Sequence, residues 1–429
     1  MLRVPLPGAG PSPAGVQSHP PLWLFGLAVV AGAVTPFATV AMPFLLRREG
    51  IAVETIAGIS ALATLPFTLM IVWSPLADML LSRRHWVVVG NLISAGLLLA
   101  AILMPRPQYL ALFTALLVAA NVAFTLAFIA LGGLMAVLVP DGVRGRSAAW
   151  FQAGNLGSLP LLGGLALWLI EEMTLTHAAV AIALVAFLPS LAVLFIKEPP
   201  RSVAPSRAVF GEMFHEIRIL LPRRQTWLGL LLFLSPLAAG AAYNLFSGIG
   251  VDYQASPRTV LLVTGLPGGV IAMVAGAFIG GAISDRVPRR TSYVLCGSVM
   301  ALAAAAMAVA PILPGTFAIG ALAYQVSCGM SWAAFSALAL ELSGADPMTA
   351  GTRMALFTSA SAAAASYMTW LDGAGDQAWG VRGLLGTDAL LGLVSAAMLV
   401  VLFRVLKEPL RSTSARAVAE AAAAPPLAG

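Results

Sequence analysis

Charge is the scarcest thing in this sequence. Asp, Glu, Lys and Arg make up 10% of its 429 residues, against roughly 25% in a soluble protein. Hydrophobic residues make up 59%, and a single water-soluble core cannot hide that much apolar surface, so the bilayer is the expected solvent. Lysine is nearly absent. Lys197 and Lys407 are the two, and neither lies in a GxxxxGK[ST] loop, which excludes a phosphate-gripping ATP motor within the chain. Both cysteines, Cys296 and Cys328, sit inside apolar runs and read as small core residues, without disulfide or metal spacing. The four histidines (His19, His85, His177, His215) are scattered. No metal site and no cofactor is therefore expected. A membrane-embedded enzyme would need clustered acids, histidines or ligands that are missing here.

What the sequence has is a succession of apolar runs long enough to cross a bilayer. They fall near 22–46, 55–77, 86–104, 109–139, 147–170 and 177–196, then 226–247, 259–283, 291–311, 316–341, 353–371 and 387–406. Twelve crossings put both termini on one side. Of the 24 basic residues, 19 then share that side, and only Arg47, Arg48, Arg106, Arg258 and Arg382 face the other. The bias makes the richer side cytoplasmic. It also explains the net charge of +6 without a nucleic-acid partner. Membrane lipids and a small-molecule substrate are the expected partners, and a monomer the expected state.

The expected organisation is a disordered Pro/Gly/Ser-rich cytoplasmic tail over 1–20 and a first six-helix half over 21–196. A linker over 197–225, a second half over 226–411 and a disordered tail over 412–429 follow. In the linker Phe210, Met213, Phe214, Ile217 and Leu221 recur at helical spacing opposite Glu212, Glu216 and Arg218, the pattern of an amphipathic helix on the inner membrane surface.

The halves look like copies of one another. Asp78 followed by Arg83-Arg84 matches Asp285 followed by Arg289-Arg290, a shift of 207 between the aspartates. Arg146 matches Arg353 at the same shift, Lys197-Glu198-Pro199 matches Lys407-Glu408-Pro409 at 210, and Pro66 matches Pro267 at 201. Parallel six-helix repeats of this kind are the architecture of the major facilitator superfamily. The run Gly281-Ala282-Ile283-Ser284-Asp285-Arg286-Val287-Pro288-Arg289-Arg290 resembles that superfamily's Gly-x-x-x-Asp-Arg-x-x-Arg-Arg loop. The resemblance implies an all-α membrane protein of twelve transmembrane helices in two parallel repeats. It also implies a cytoplasmic gate built from Asp78, Arg83, Arg84, Arg144, Asp285, Arg286, Arg289, Arg290 and Arg353. A carboxylate at a helix end can bind exposed amides or an arginine, and that bond must break when the inside opens.

A closer resemblance rests on Trp73-Ser74-Pro75-Leu76-Ala77-Asp78, on Arg144-Gly145 after Pro140, and on Gly163-Gly164-Leu165-Ala166-Leu167-Trp168-Leu169. These look like the AmpG-type muropeptide permeases, a group that includes acetyl-CoA transporters. That implies a bacterial inner-membrane permease, often proton-coupled. Span four departs from the group, because Leu131 to Val137 is uncharged where the group carries charge.

Polar residues on apolar helices mark where a solute cavity could be lined. These are Thr35 and Thr39, Asn121 and Thr125, Gln152 and Asn155, then Tyr243 and Asn244, and Tyr324, Gln325, Ser327 and Trp332. Each can equally be an interhelical tie. Ionisable groups at mid-span depth are lacking on these limits: Asp252, Asp372, Asp376 and Asp388 fall toward the outer side. Glu341, at the end of span ten, is the proton-coupling candidate, with a gate ion pair as its other role. Pro36, Pro43, Pro66, Pro160, Pro236 and Pro267 predict kinks. The function these features support is a permease moving a small or medium organic solute by alternating access. The alternative is a facilitator-fold assembly or lipid- and pigment-handling protein.

Overall fold

The computed structural model describes residues 21, 23–30, 32–70, 81–106, 108–138, 144–197, 218, 224–343 and 350–405. The sequence expectations for 1–20, 412–429 and the amphipathic linker helix lie outside these residues, apart from Arg218. The described chain is all helix and connecting turn, and it runs back and forth in twelve passes. The first, α1, is Trp23–Val30 continued by Val34–Pro36, Phe37–Ala41 and Met42–Arg48. Then come α2 (Val53–Thr68), α3 (Arg83–Leu103), α4 (Leu110–Leu138), α5 (Arg144–Glu172) and α6 (Leu175–Phe187, tightening into Leu188–Phe195). The second half has α7 (Arg224–Leu234, Ala241–Leu245, Phe246–Ile249), α8 (Pro257–Thr264, Gly268–Arg286), α9 (Arg289–Val309) and α10 (Pro314–Ser343). Its last two passes, α11 (350–378) and α12 (381–405), lie within one assigned helix, Ala350–Val405, that is non-helical only at Trp379 and Gly380.

Local chemistry accounts for the starts and breaks. Ser82, Thr174 and Ser256 stand in extended conformation ahead of α3, α6 and α8, and each accepts a hydrogen bond from the backbone N–H three residues on. Of the six predicted proline kinks, two coincide with helix breaks. Pro66 and Pro160 lie inside α2 and α5, while Pro236 and Pro267 fall in the breaks of α7 and α8.

The two halves repeat in structural detail as well. Gly32 and Gly240 both have positive φ (89° and 67°), and each precedes a five-residue irregular turn, π over Phe37–Ala41 and 3-10 over Ala241–Leu245. A Cβ on Gly32 would enter the Phe124 ring, so both sterics and backbone demand glycine there. Packing follows the same plan in each half: α1 against α5 and α7 against α11, α2 against α4 and α8 against α10, α3 against α6 and α9 against α12. Between halves, α1 meets α7, α2 meets α11 and α5 meets α8. Large apolar side chains such as Phe278, Val309 and Ile319 are exposed on the outer faces, as lipid contact requires.

The last two passes differ from the sequence expectation. Spans of 353–371 and 387–406 leave 372–386 as a connection, because that stretch is rich in Gly, Asp and Gln. In the structure both helices continue through it. They can do so because Gly375 and Gly383 bring the two backbones into direct contact below the Trp379–Gly380 turn. Asp372 and Asp388 are thereby drawn into the bundle.

Candidate functional site

The irregular turns of α1 and α7 face each other between the halves. Non-helical backbone at membrane depth needs cover from protein, and neighbouring side chains supply it. Where Pro236 breaks α7, the freed carbonyl of Leu234 accepts from the Tyr367 hydroxyl at 2.6 Å and that of Leu237 from the Tyr293 hydroxyl at 3.2 Å. Gln325 does the same for α8. Pro267 has no N–H to give the Val263 carbonyl, and Gln325 Nε2 donates to it at 2.9 Å. The matching amide in the first half, Asn121, donates through Nδ2 to the Ala63 carbonyl at 2.6 Å, in the turn that Pro66 disturbs. Asn121 also accepts from Thr35 Oγ1 at 2.8 Å.

Seven of the polar candidates are accordingly buried: Thr39, Asn121, Thr125, Tyr243, Tyr324, Gln325 and Ser327. Thr39 and Thr125 donate back into their own helices, to the carbonyls of Thr35 and Asn121. For all of these but Tyr243, whose buried hydroxyl has no hydrogen-bond partner, interhelical and backbone bonding is the observed use. Thr35, Asn155, Asn244 and Trp332 keep partial exposure. Asn244 Nδ2 donates to Thr369 Oγ1 of α11 at 2.9 Å, and Trp332 packs edge-on against Phe335. Gln152 lies on α5, and its side chain is outside the described residues. An apolar groove of about 600 Å³ between Trp23, Leu27, Leu188 and Phe195 is remote from all these candidates.

Two groups that the sequence reading set aside enter this region. The Tyr324 hydroxyl donates to Asp388 Oδ2 at 3.1 Å, and the Ala242 backbone of the irregular α7 turn is the second neighbour of that carboxyl. Asp372, on the facing helix, interacts electrostatically with Asp388. Its side chain is completely buried, and neither carboxyl oxygen has a hydrogen-bond partner. The sequence signal was present in the spacing. Asp372 and Asp388 stand seven and eight residues from the Trp379–Gly380 turn, so both fall about 10 Å below it at 1.5 Å per residue.

At the end carrying Arg47, the halves are tied together. Arg47 Nη2 lies 2.6 Å from Asp252 Oδ1, and Thr64 Oγ1 lies 3.2 Å from Ser366 Oγ between α2 and α11. Gly164 of α5 and Gly265 of α8 are in backbone contact, and Gly373 of α11 rests on Ala57 of α2. Arg106, with a side chain only 2% exposed, grips Glu49 and the carbonyl end of α3 within the first half.

At the opposite end, which carries Arg289, arginines of each half bond within that half. Arg83 Nη1 donates to the Gly133 carbonyl at 3.1 Å, and its repeat mate Arg289 donates to the Ala337 carbonyl at 3.5 Å. Arg289 also pairs with Glu341 at 3.4 Å, which places the proton-coupling candidate at a helix end, against one of the arginines expected in the gate. Arg290 stacks over the Phe403 ring, and Arg84 also lies near the start of α3. Asp285 and Arg286 are exposed, and among the described residues Asp285 makes no ion pair. Asp78 and the side chains of Arg144 and Arg353 lie outside the described residues.

Comparison with known proteins agrees with this geometry. The family model of the Major Facilitator Superfamily matches residues 24–366 and, in a second match, 228–427. No curated protein matches the chain. Among solved structures, a D-xylose–proton symporter superposes with a TM-score of 0.64 at 15% identity, covering 88% of this chain and 94% of the symporter. The xylose transporter of E. coli in a partially occluded inward-open conformation gives 0.61 at 14%, covering 90% and 95%. A bacterial homologue of the human lysosomal transporter Spinster, inward-facing and unoccupied, gives 0.58 at 13%, covering 90% and 94%. At such identities these likenesses speak for the fold alone. The family model covers most of the chain, and with it the chain belongs to the major facilitator superfamily.

Proposed function

We propose that this protein is an alternating-access permease of the bacterial inner membrane for a small or medium organic solute, with its Arg289 end in the cytoplasm. The observation that carries the reading is the set of ties between the halves. Among the described residues they include Arg47–Asp252, Thr64–Ser366 and Gly164 against Gly265. Two parallel halves joined through local ties that can be broken and remade are what a rocking transporter needs. The arginine bias supports the orientation, since Arg83, Arg84, Arg286, Arg289 and Arg290 crowd the end opposite Arg47.

Within the superfamily, the Gly163 to Leu169 stretch and Arg144-Gly145 support kinship with the AmpG-type and acetyl-CoA transporter group. The uncharged run from Leu131 to Val137 in α4 favours a neutral or amphiphilic cargo. The test is reconstitution in liposomes with a panel of neutral, amphiphilic and muropeptide-like solutes, with and without a pH gradient. In parallel, cysteines introduced at the two ends are labelled from each side. Both native cysteines are buried, so the introduced ones provide the signal. Accumulation of a solute with reciprocal accessibility of the ends is expected. Fixed accessibility and no solute movement in any condition would favour the non-transport reading instead.

A further inference from the structure

We propose that Asp372 and Asp388 form a proton-binding site in the α11–α12 hairpin, and that its occupancy decides whether α11 can remain in the seal between the halves. This deepens the transporter reading and rests on it.

Three observations carry the site. Asp372 is 0% exposed and both its oxygens lack partners. Asp388 is 5% exposed and is held by the Tyr324 hydroxyl at 3.1 Å, so one carboxyl is oriented while the hydrogen-bonding capacity of the other is unused. The third is compensation. From α10 the pair faces Tyr324 and Cys328, and from α7 it faces Ala242 with Tyr243 beyond. Across α2 the nearest acid is Glu54, whose backbone lies against Gly373. One turn along α11, Asp376 is already within reach of Asp252 and Arg47. Among the described residues, then, no cation faces the pair itself. A carboxylate buried without partner or water is not tolerated in such a core. A hard metal cation takes about six oxygens or more, and two carboxyls and one hydroxyl are too few. A proton needs one oxygen. It passes from water to an Asp372 oxygen, which removes the buried charge that would otherwise stand beside Asp388. On release it returns to water, leaving Asp372 as a carboxylate.

Position links the site to the seal. Gly373, the next residue, sits on Ala57 of α2 so closely that a Cβ there would lie 2.3 Å from the alanine Cβ. The Thr64–Ser366 contact lies further along the same helix pair. An ionised Asp372 demands water that this packing excludes, so losing the proton favours parting of the halves at the Arg47 end.

The experiment is infrared titration of the full-length protein in lipid vesicles, reading the C=O stretch of protonated carboxylic acids and its shift in D₂O. The wild type should show a buried protonated carboxyl at neutral pH. Asp372→Asn with Asp388→Asn should remove it, and Tyr324→Phe should move its frequency without abolishing it. Asn is nearly isosteric with Asp, and the tyrosine variant tests the site even if an Asn variant folds poorly. A wild type without the band, a band unchanged in the double variant, or a band removed by Na⁺ at fixed pH each overturns the site. Labelling of a cysteine at Ser366, in the seal, should slow several-fold in Asp372→Asn. Unchanged labelling overturns the link to the seal. If the band behaves as described but no solute moves and no end changes accessibility, the transporter reading fails while the proton site stands.

Discussion

Arg47 Nη2 lies 2.6 Å from Asp252 Oδ1, and this pair bolts the first half of the chain to the second across 205 residues. Both side chains are about a quarter exposed. A partly solvated pair contributes about 0.2–1 kcal/mol, enough to tilt a balance between two conformations without holding it. Asp252→Asn should therefore raise the accessibility of the Arg47 end by a few-fold at most. The charge swap Arg47→Asp with Asp252→Arg should restore the wild-type labelling rate. An unaltered rate in the single variant would mean that packing alone makes the seal.

Gly164 and Gly265 should matter more than the ion pair. A Cβ on Gly164 would lie 2.6 Å from the Gly265 Cα and 2.8 Å from the Leu266 nitrogen. The obstacle is backbone, which cannot rotate aside. Gly164→Ala should push α5 from α8 and open the Arg47 end. The expected reading is faster labelling of cysteines in the seal, together with a lower Tm.

Asn121 and Gln325 give the two halves the same kind of bond, a side-chain amide on the fourth helix of each half donating to a carbonyl near a proline. Interhelical hydrogen bonds in membranes contribute about 1 kcal/mol or less on average. Asn121→Ala should cost somewhat more than Gln325→Leu. The second bond of Asn121, from Thr35, ties another helix, whereas the second bond of Gln325 goes to the Ala321 carbonyl of its own helix. The sites are in different halves, so the two losses should add. Thermal unfolding in detergent measures both, and a double variant far from the sum would expose coupling between the halves.

Glu341 is best tested by what it leaves unchanged. Its carboxylate lies 3.4 Å from Arg289 at a helix end, the geometry of a gate contact. Glu341→Gln should shift the balance between conformations and retain the pH dependence of transport. Loss of that dependence in this variant, with Asp372→Asn retaining it, would move proton coupling to Glu341.

The internal repeat could be read in the residues and holds at atomic detail. Of the matched prolines, Pro267 falls in a helix break and Pro66 lies inside α2, each near a carbonyl that a side-chain amide bonds. The arginine pair Arg83 and Arg289 became paired bonds to the carbonyls of Gly133 and Ala337. Polar residues in apolar helices were visible too. Which of them tie helices together was not, because that depends on carbonyls freed by prolines on other helices, as Val263 is for Gln325.

Composition and period were enough to establish a bilayer protein of twelve helices in two parallel halves. Hydrophobicity and repeat spacing are summed along the chain and need no knowledge of partners. The hairpin of α11 and α12 was decided elsewhere. Its Gly- and Asp-rich sequence reads as a polar connection, and only the contact of Gly375 with Gly383 shows that both helices run on. The burial of Asp372 and the Tyr324–Asp388 bond follow from that packing. The charge of a carboxyl is set by what surrounds it in three dimensions, and helices far apart in sequence supply those surroundings.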